Sequence, residues 1–366
     1  MVEPSSPLET AQLPAVHWRS VSLFVGYLST VTFLSLVCIR TICARYCARQ
    51  RNNDWAHPQR RGQFVLFSLL AAVSLGSTWY YMISLFFYSY NTWATSPEGV
   101  LYAGSETPLV TRMGLWLNKT YIFQEAWETV SETPERVWWS GQIFGWTIGW
   151  SLLLGITGRR YHIPHVWIYM LVAQAVSVSF AANLFFAAIT VSPRPSEKDP
   201  LYTWRPLLLA ELIPITLSLA DTLAVPIYAY EKGFMLILLA PHALVFIPCI
   251  LRPRRSPSSS PAGGFYPLLK PRDALVQGLQ TTRRYISFIK WIAVASLAMQ
   301  GYVTYLVLQD FGAEVPYSEI ARELIGTVYA HPACSSVSWD VIMCTVSAGA
   351  WAVVHRFDWE SMLGSL

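Results

Sequence analysis

Three carboxylates stand inside, or at the mouth of, segments that otherwise read as membrane-spanning: Glu211 and Asp221 in one, Asp340 in another. Hydrocarbon has no water to solvate a charge. An acid at that depth costs about 2.5–3.5 kcal/mol on insertion scales, so such residues face a polar interior and mark functional sites. A carboxylic acid that keeps its proton in such a setting is a general acid, able to protonate an apolar substrate. Glu211 and Asp221 are ten residues apart, which is about 15 Å along a helix and about 80° around it. They can line one side of a cavity at two depths without touching. Pro214 between them removes a backbone donor and frees the carbonyl of Ala210, adding polarity beside Glu211. A structural alternative stands beside the catalytic one: each acid is neutralised by Arg205 or Lys232 near the helix ends.

Asp340 closes the stretch Ser335-Ser336-Val337-Ser338-Trp339-Asp340, which opens the last apolar segment after His331-Pro332. Ser335 or Ser336 is a natural N-cap. The macrodipole alone favours a carboxylate in the first turns of a helix. Against that reading, Trp339 and Asp340 fall where the segment enters the membrane, and an aromatic wall beside an acid suits an apolar substrate. His242, following Pro241 inside another apolar segment, is a candidate proton relay or ligand contact, or a hydrogen-bonded structural histidine. Asn183 is a third candidate substrate contact beside Trp339 and His242. Intramembrane amides such as Asn183, Gln142 and Gln300 more commonly bridge helices. His162 and His165 read as solvated residues of a basic turn.

Several motifs are absent. The sequence has no DDxxD-type acidic cluster to hold Mg²⁺ and a diphosphate, no Gly-rich phosphate loop, no HExxH and no CxxC pair. It also has no Arg-rich apolar segment for voltage sensing. Neither a metal nor a cofactor is expected.

The elements that must position these groups follow from composition. Of 366 residues, 53% are hydrophobic and 13% charged, against about 25% charged in soluble domains. The mean hydropathy is +0.36. The charge deficit runs along the whole length, which predicts an all-α, polytopic membrane bundle forming one transmembrane domain over 1–366. A spanning helix needs about 20 mostly apolar residues. Candidate spans lie at 18–39, 63–88, 138–157, 165–190, 206–228, 234–251, 286–308 and 337–355, eight in all. Seven remain if the fifth or sixth, separated only by Glu231-Lys232-Gly233, is broken or re-entrant. Irregular backbone at membrane depth survives only against protein or a wet cavity, which places that region near a site.

Residues 1–17 are polar and Pro-rich, unlike a cleaved signal, so the first span is expected to act as a signal anchor. Loop 40–61 is rich in arginine, which places it in the cytosol by the positive-inside rule. The aromatic-rich loop 89–137 is then lumenal, in agreement with the Asn118-Lys119-Thr120 glycosylation sequon. Eight spans would put the second basic loop, 252–285, on the opposite side from the first, so the sequence leaves orientation open. That loop begins with a low-complexity stretch, 252–264, read as a disordered linker. Within 89–137, Trp116, Tyr121, Ile122, Phe123 and Trp127 beside Glu125, Glu128, Glu132 and Glu135 predict an amphipathic helix. It is expected to rest on the lipid surface rather than to cap the cavity. The six cysteines are scattered and make no disulfide framework. Cys43 and Cys47, one turn apart in a basic juxtamembrane stretch, read as spectator thiols with palmitoylation as the alternative. The basic clusters lack the interleaved aromatics of a nucleic-acid face, and no nucleic-acid partner is expected.

An apolar cavity with isolated acids and many aromatic rings, 16 of them Trp, suits proton-initiated cation chemistry. An acid protonates an epoxide or alkene of an isoprenoid, aromatic faces stabilise the cation, and water is excluded. The chain length, the roughly eight spans, the aromatic-rich loop and the closing stretch from His331-Pro332-Ala333-Cys334 through Trp339-Asp340 resemble the fungal membrane-bound terpene cyclases of ascofuranone and ascochlorin biosynthesis. The resemblance implies a multi-pass enzyme of the endoplasmic reticulum. Its substrate would be a lipophilic prenylated phenol whose epoxidised farnesyl chain closes to a tetrahydrofuran or a cyclohexanone ring. No catalytic motif carries over from it, so Asp340, Asp221 and Glu211 rest on the reading of the residues themselves. Two other classes use the same acids. A transporter would use them as ion sites, although no inverted repeat is visible. A sterol-isomerase-like lipid-binding protein would hold a cationic intermediate or an amine.

Overall fold

The computed structural model describes residues 15–52, 58–104, 106–195, 204, 206–251, 271–312 and 314–364. The 252–264 stretch and Arg205 lie outside these residues. Among the described residues the regular structure is entirely helical: α1 (Trp18–Arg51), α2 (Pro58–Ala94), α3 (Gly99–Tyr102), α4 (Leu109–Lys119), α5 (Ile122–Val130), α6 (Pro134–Arg160), α7 (Val166–Ala175) and α8 (Val178–Val191). There follow α9 (Leu208–Ala224), α10 (Phe234–Leu244), α11 (Ile247–Ile250), α12 (Pro271–Phe311), α13 (Tyr317–Thr327), α14 (Pro332–Val354) and α15 (Trp359–Met362).

Among the described residues, four helices are long and apolar enough to cross a membrane: Trp18–Arg51, Gln59–Ala94, Leu275–Phe311 and Pro332–Val354. They contain the first, second and seventh expected spans and all but the last residue of the eighth. Their outward faces are bare hydrocarbon, with Leu23, Phe33 and Leu36 on α1, Leu69 and Val73 on α2, and Leu297 on α12 all exposed. Water does not tolerate that density of exposed side chains on packed helices, but a bilayer does.

The other expected spans are helical and each has its own shape. The third lies in α6, 27 residues long, which starts at a Thr133 N-cap with Pro134 at the first helical position and ends on Arg159-Arg160. The fourth is broken at Val176-Ser177 into α7 and α8. The fifth, α9, is 17 residues long and ends at Ala224, so turns rather than helix fill 225–233. Gly233 has φ +95°, a left-handed conformation that lets the chain reverse into α10. The sixth is divided between α10 and α11.

The core is built around α8, every residue of which is buried. It packs against α2 and α14, with α1, α6 and α7 completing its surround, while α12 lies along the outer side of α6. Asn183 clamps this centre: its Nδ2 donates to Ser74 Oγ of α2 at 3.2 Å and to Ser347 Oγ of α14 at 2.7 Å.

The aromatic-rich loop departs from expectation. Rather than resting on lipid, α5 packs on the N-terminal turns of α14, and Ile122 and Val130 are buried in one cluster with Leu115, Trp116, Ala333 and Cys334. The reason is the small apolar turn Ala333-Cys334, which offers α5 a protein surface for its hydrophobic face. The loop is a cap on the bundle.

Candidate functional site

The break between α7 and α8 makes the site. An α-helix leaves its first four N–H groups without internal partners, and inside a membrane no water serves them. Here all four are satisfied by protein. Ser177, extended at φ −173°, is the N-cap of α8, and its Oγ accepts from Phe180 N at 3.1 Å. Ser177 N itself reaches back to the carbonyl of Val172 at 3.3 Å. The remaining two donors belong to Asp340. Its Oδ2 accepts from Val178 N at 2.9 Å and its Oδ1 from Ser179 N at 2.8 Å, with Ser177 Oγ also donating to Oδ1 at 2.9 Å. The positive end of the α8 dipole adds to the same pull. Asp340 therefore sits on α14 with its carboxylate locked to the start of another helix.

On the other side of the break, the carbonyl of Ala175 accepts from Tyr27 Oη of α1 at 2.7 Å. Both helix ends open onto a cavity of about 160 Å³. Its walls include Asp340, Val337, Ser336 and Ala333, which lie at i, i−3, i−4 and i−7 along one face of α14. The α5 cap contributes Phe123, Ala126, Trp127 and Val130, and α6 contributes Phe144 and Thr147.

His242 also lines this cavity. Its Nδ1 lies 2.7 Å from the carbonyl of Leu238. A carbonyl only accepts, so Nδ1 carries the proton and Nε2 of the neutral ring is a free lone pair. Trp127 and Phe144 hold the imidazole edge-on at 5.9 and 5.8 Å. An acid and an imidazole thus share one aromatic chamber.

The other sequence candidates fall elsewhere. Trp339 is not a lining residue, because adjacent positions on a helix point about 100° apart and Asp340 takes the cavity-facing one. Asn183 lies behind the cavity wall, bridging α2 and α14. Asp221 is only partly buried and lines neither this cavity nor a larger one bordered by α6, α12 and α14. Glu211 is fully buried and also away from both cavities. It accepts from Arg284 Nη2 at 2.7 Å and from Tyr285 Oη, both of α12. Arg159 of α6 donates to the same Tyr285 Oη at 2.8 Å and to the carbonyl of Pro248 at 3.3 Å. This network ties α6, α9, α11 and α12 together. Glu211 is thus neutralised by Arg284 of α12; the expected partner Arg205 lies outside the described residues. Asn118 is exposed near the end of α4, open to a glycan. Cys43 and Cys47 are exposed as well.

Ser177, Gln174, Tyr27 and Thr147 were not singled out from sequence. The available signal was Ser177-Val178-Ser179, which holds the only two serines of the largely apolar run 166–189. No group of three or more potential metal-ligating side chains forms among the described residues.

The fold and the site define an all-α membrane bundle with a largely apolar pocket that holds one buried acid at a helix break. No family model, curated protein or solved structure matches the chain.

Proposed function

We propose that the protein is a multi-pass membrane enzyme of the endoplasmic reticulum, a terpene cyclase of the ascofuranone and ascochlorin type. It protonates the epoxide of a farnesyl chain carried on a phenolic core and guides the resulting cation to ring closure. The observation that carries this reading is Asp340 facing a small, aromatic-walled cavity.

Each part of the site has a role in that reaction. Asp340 as the carboxylic acid gives its proton to the epoxide oxygen, the C–O bond opens, and positive charge develops on the tertiary carbon. Ser177 Oγ and the N–H groups of Val178 and Ser179 hold the negative charge left on Asp340, already oriented before the reaction begins. The faces of Trp127, Phe123 and Phe144 stabilise the cation, and the α5 cap covers one side of the cavity in which it forms. Closure ends either by attack of a substrate hydroxyl or by loss of a proton to His242 Nε2. The sequence offers no motif for diphosphate ionisation, so the scheme is metal-independent.

The test is expression of the chain in a host lacking the activity, with its microsomes given an epoxidised farnesyl phenol in the presence of EDTA. A cyclised isomer of unchanged mass, resolved by chromatography and NMR, is the expected product. Activity that disappears with EDTA would sink the scheme. Mapping the glycan on Asn118 places the α3–α5 cap in the lumen if the orientation read from loop 40–61 is right.

A further inference from the structure

Both outer ends of the broken pair α7 and α8 lie on one face of the bundle. Arg49 donates to the carbonyls of Val191 and Ser192, each at 2.8 Å, and Arg60 to that of Ser192 at 3.1 Å, so the end of α8 sits beside the end of α1 and the start of α2. Arg45 donates to the carbonyl of His162 at 2.8 Å, which brings the turn before α7 to the same place. The inner ends meet Tyr27 and Asp340 through Ala175 and Ser177. The two helices are therefore the arms of a hairpin that enters from the arginine-rich face, turns at Val176-Ser177 and returns. Arg160 adds the start of α12 to that face, donating to Thr282 Oγ1 at 2.7 Å. The arginines of 40–61 and Arg283-Arg284 thus share one side, which the positive-inside rule makes cytosolic. The α4 and α5 cap, packed on the start of α14, is then on the lumenal side.

Depth follows from α1. Residues 20–39, between Arg19 and Arg40, carry no charge, and a helix of that length spans about 30 Å, the thickness of the hydrocarbon core. Tyr27 stands eight residues from Arg19, about 12 Å in from the lumenal boundary. The Asp340 chamber is at this level, because Tyr27 lines it. Of the residues that line the chamber, Phe123 alone is exposed, and its ring stands edge-on to Tyr27 at 5.2 Å. Leu23, one turn before Tyr27 on the same side of α1, is among the exposed hydrophobic residues. The outer edge of the chamber thus lies between α1 and α5 at membrane depth. Among the described residues no lysine or arginine lines it. Its volume of about 160 Å³ is close to the roughly 150 Å³ that holds one six-carbon ring in an apolar protein cavity.

We infer that the Asp340 chamber is filled sideways from the lumenal leaflet, through an opening at Tyr27 and Phe123, by one end of an uncharged, lipid-soluble molecule. The chamber takes a five- or six-carbon terminal group, and the rest of the molecule stays in the opening and the lipid beside it. A charged end is turned away because hydrocarbon does not solvate it on the route in. The cytosolic side is shut off by the hairpin, whose arms fill the bundle between the chamber and the arginine-rich face. The inference rests on the Asp340 chamber being the functional site, but not on cyclisation.

The experiment uses the full chain in sealed microsomes, with Cys43→Ser and Cys47→Ser removing the exposed thiols; the other four cysteines are buried. In that background Val337→Cys puts a thiol in the chamber wall. Methyl methanethiosulfonate, small and uncharged, should label it. The anionic sulfonatoethyl reagent should not, even after alamethicin opens the vesicles. The neutral rate should rise in Phe123→Ala and fall in Phe123→Trp, changes at an exposed position that leave the core intact. The sides are read separately: Asp273→Cys, at an exposed site near the start of α12, should react with the anionic reagent in sealed vesicles. Equal labelling of Val337→Cys by both reagents would show an aqueous route and overturn the inference. So would no labelling by either, a neutral rate that does not follow the size of residue 123, or protection of Asp273→Cys in sealed vesicles. A chain that meets every expectation here yet converts no epoxide would refute cyclisation alone.

Discussion

Asp340 Oδ1 and Ser177 Oγ lie 2.9 Å apart, joining the first turns of α14 to the N-cap of α8 across 163 positions of sequence. One carboxylate does two jobs there. It supplies partners for backbone N–H groups that a broken intramembrane helix would otherwise leave bare, and it faces the cavity. Removing Ser177 Oγ should separate these jobs. Ser177→Ala leaves Val178 N and Ser179 N on Asp340 but removes one donor to it and the cap on Phe180 N. The expected result is a loss of about 1–2 kcal/mol of stability, typical of a lost N-cap, together with a fall in turnover per folded molecule. A variant that melts lower at unchanged turnover would limit Ser177 to the structural job.

His242 is predicted to act through Nε2. His242→Phe keeps the edge-on contacts with Trp127 and Phe144 and removes both nitrogens. Turnover should fall about 10²–10⁴-fold, the usual worth of a positioned acid or base, with the melting midpoint little changed. If products switch from proton-loss to hydroxyl-trapped isomers instead, His242 still serves as the terminating base. An unchanged rate and product profile would remove it from the mechanism.

Glu211 should behave differently. It is fully buried against Arg284 and Tyr285 and lies away from the chamber. Removing one partner of a buried pair leaves the other charge uncompensated, at a cost of about 3–5 kcal/mol. Glu211→Gln should therefore lower the thermal midpoint while the surviving folded enzyme retains its turnover. Full stability with abolished turnover would return Glu211 to the catalytic set.

His331 gives the fold an acid limit. It is the N-cap of α14, and its Nδ1 accepts from Ala333 N at 3.2 Å. Burial is the main cause holding its pKa below the ordinary 6.5, and Arg136 acts in the same direction. Between its folded and unfolded pKa values the unfolded chain binds more protons, so stability rises with pH there. His331 thus contributes in full above pH 6.5 and loses that contribution as pH falls towards its folded value. Protonation also places a positive charge at a helix N-terminus, where the dipole opposes it. Thermal midpoints measured from pH 7.5 down to 5 should decline, and His331→Asn, which keeps a capping oxygen, should flatten the slope. An identical slope in the variant would assign the acid sensitivity elsewhere.

Much of this architecture was legible in the residues. Charge depletion and apolar runs marked the helices, and Asp340 stood out as an acid in an apolar segment. Periodicity could not reveal the division of 165–190 into α7 and α8, because no proline or glycine marks it. The break depends on Asp340, 163 positions downstream of Ser177, taking the exposed N–H groups. The same limit applied to Glu211, whose Arg284 lies 73 residues away on another helix. Sequence suggested local partners because only local distances can be read from spacing. Trp339 drew attention by adjacency to Asp340, but helical geometry separates neighbours by about 100°, and the cavity aromatics come instead from α1, α5 and α6. The role of α5 as a cap rather than a lipid-surface helix depended on a docking surface formed by Ala333-Cys334, which its own amphipathic pattern does not encode.

The central claim is that Asp340 starts the reaction. Its most direct test is the rate of epoxy-farnesyl phenol conversion by Asp340→Asn in microsomes, with the melting midpoint measured on the same preparation. Asparagine keeps the shape and one acceptor oxygen but has no acidic proton to give. The account predicts a folded protein, somewhat less stable, with turnover reduced at least about 10²-fold. A folded Asp340→Asn protein that cyclises the substrate at the wild-type rate would contradict it.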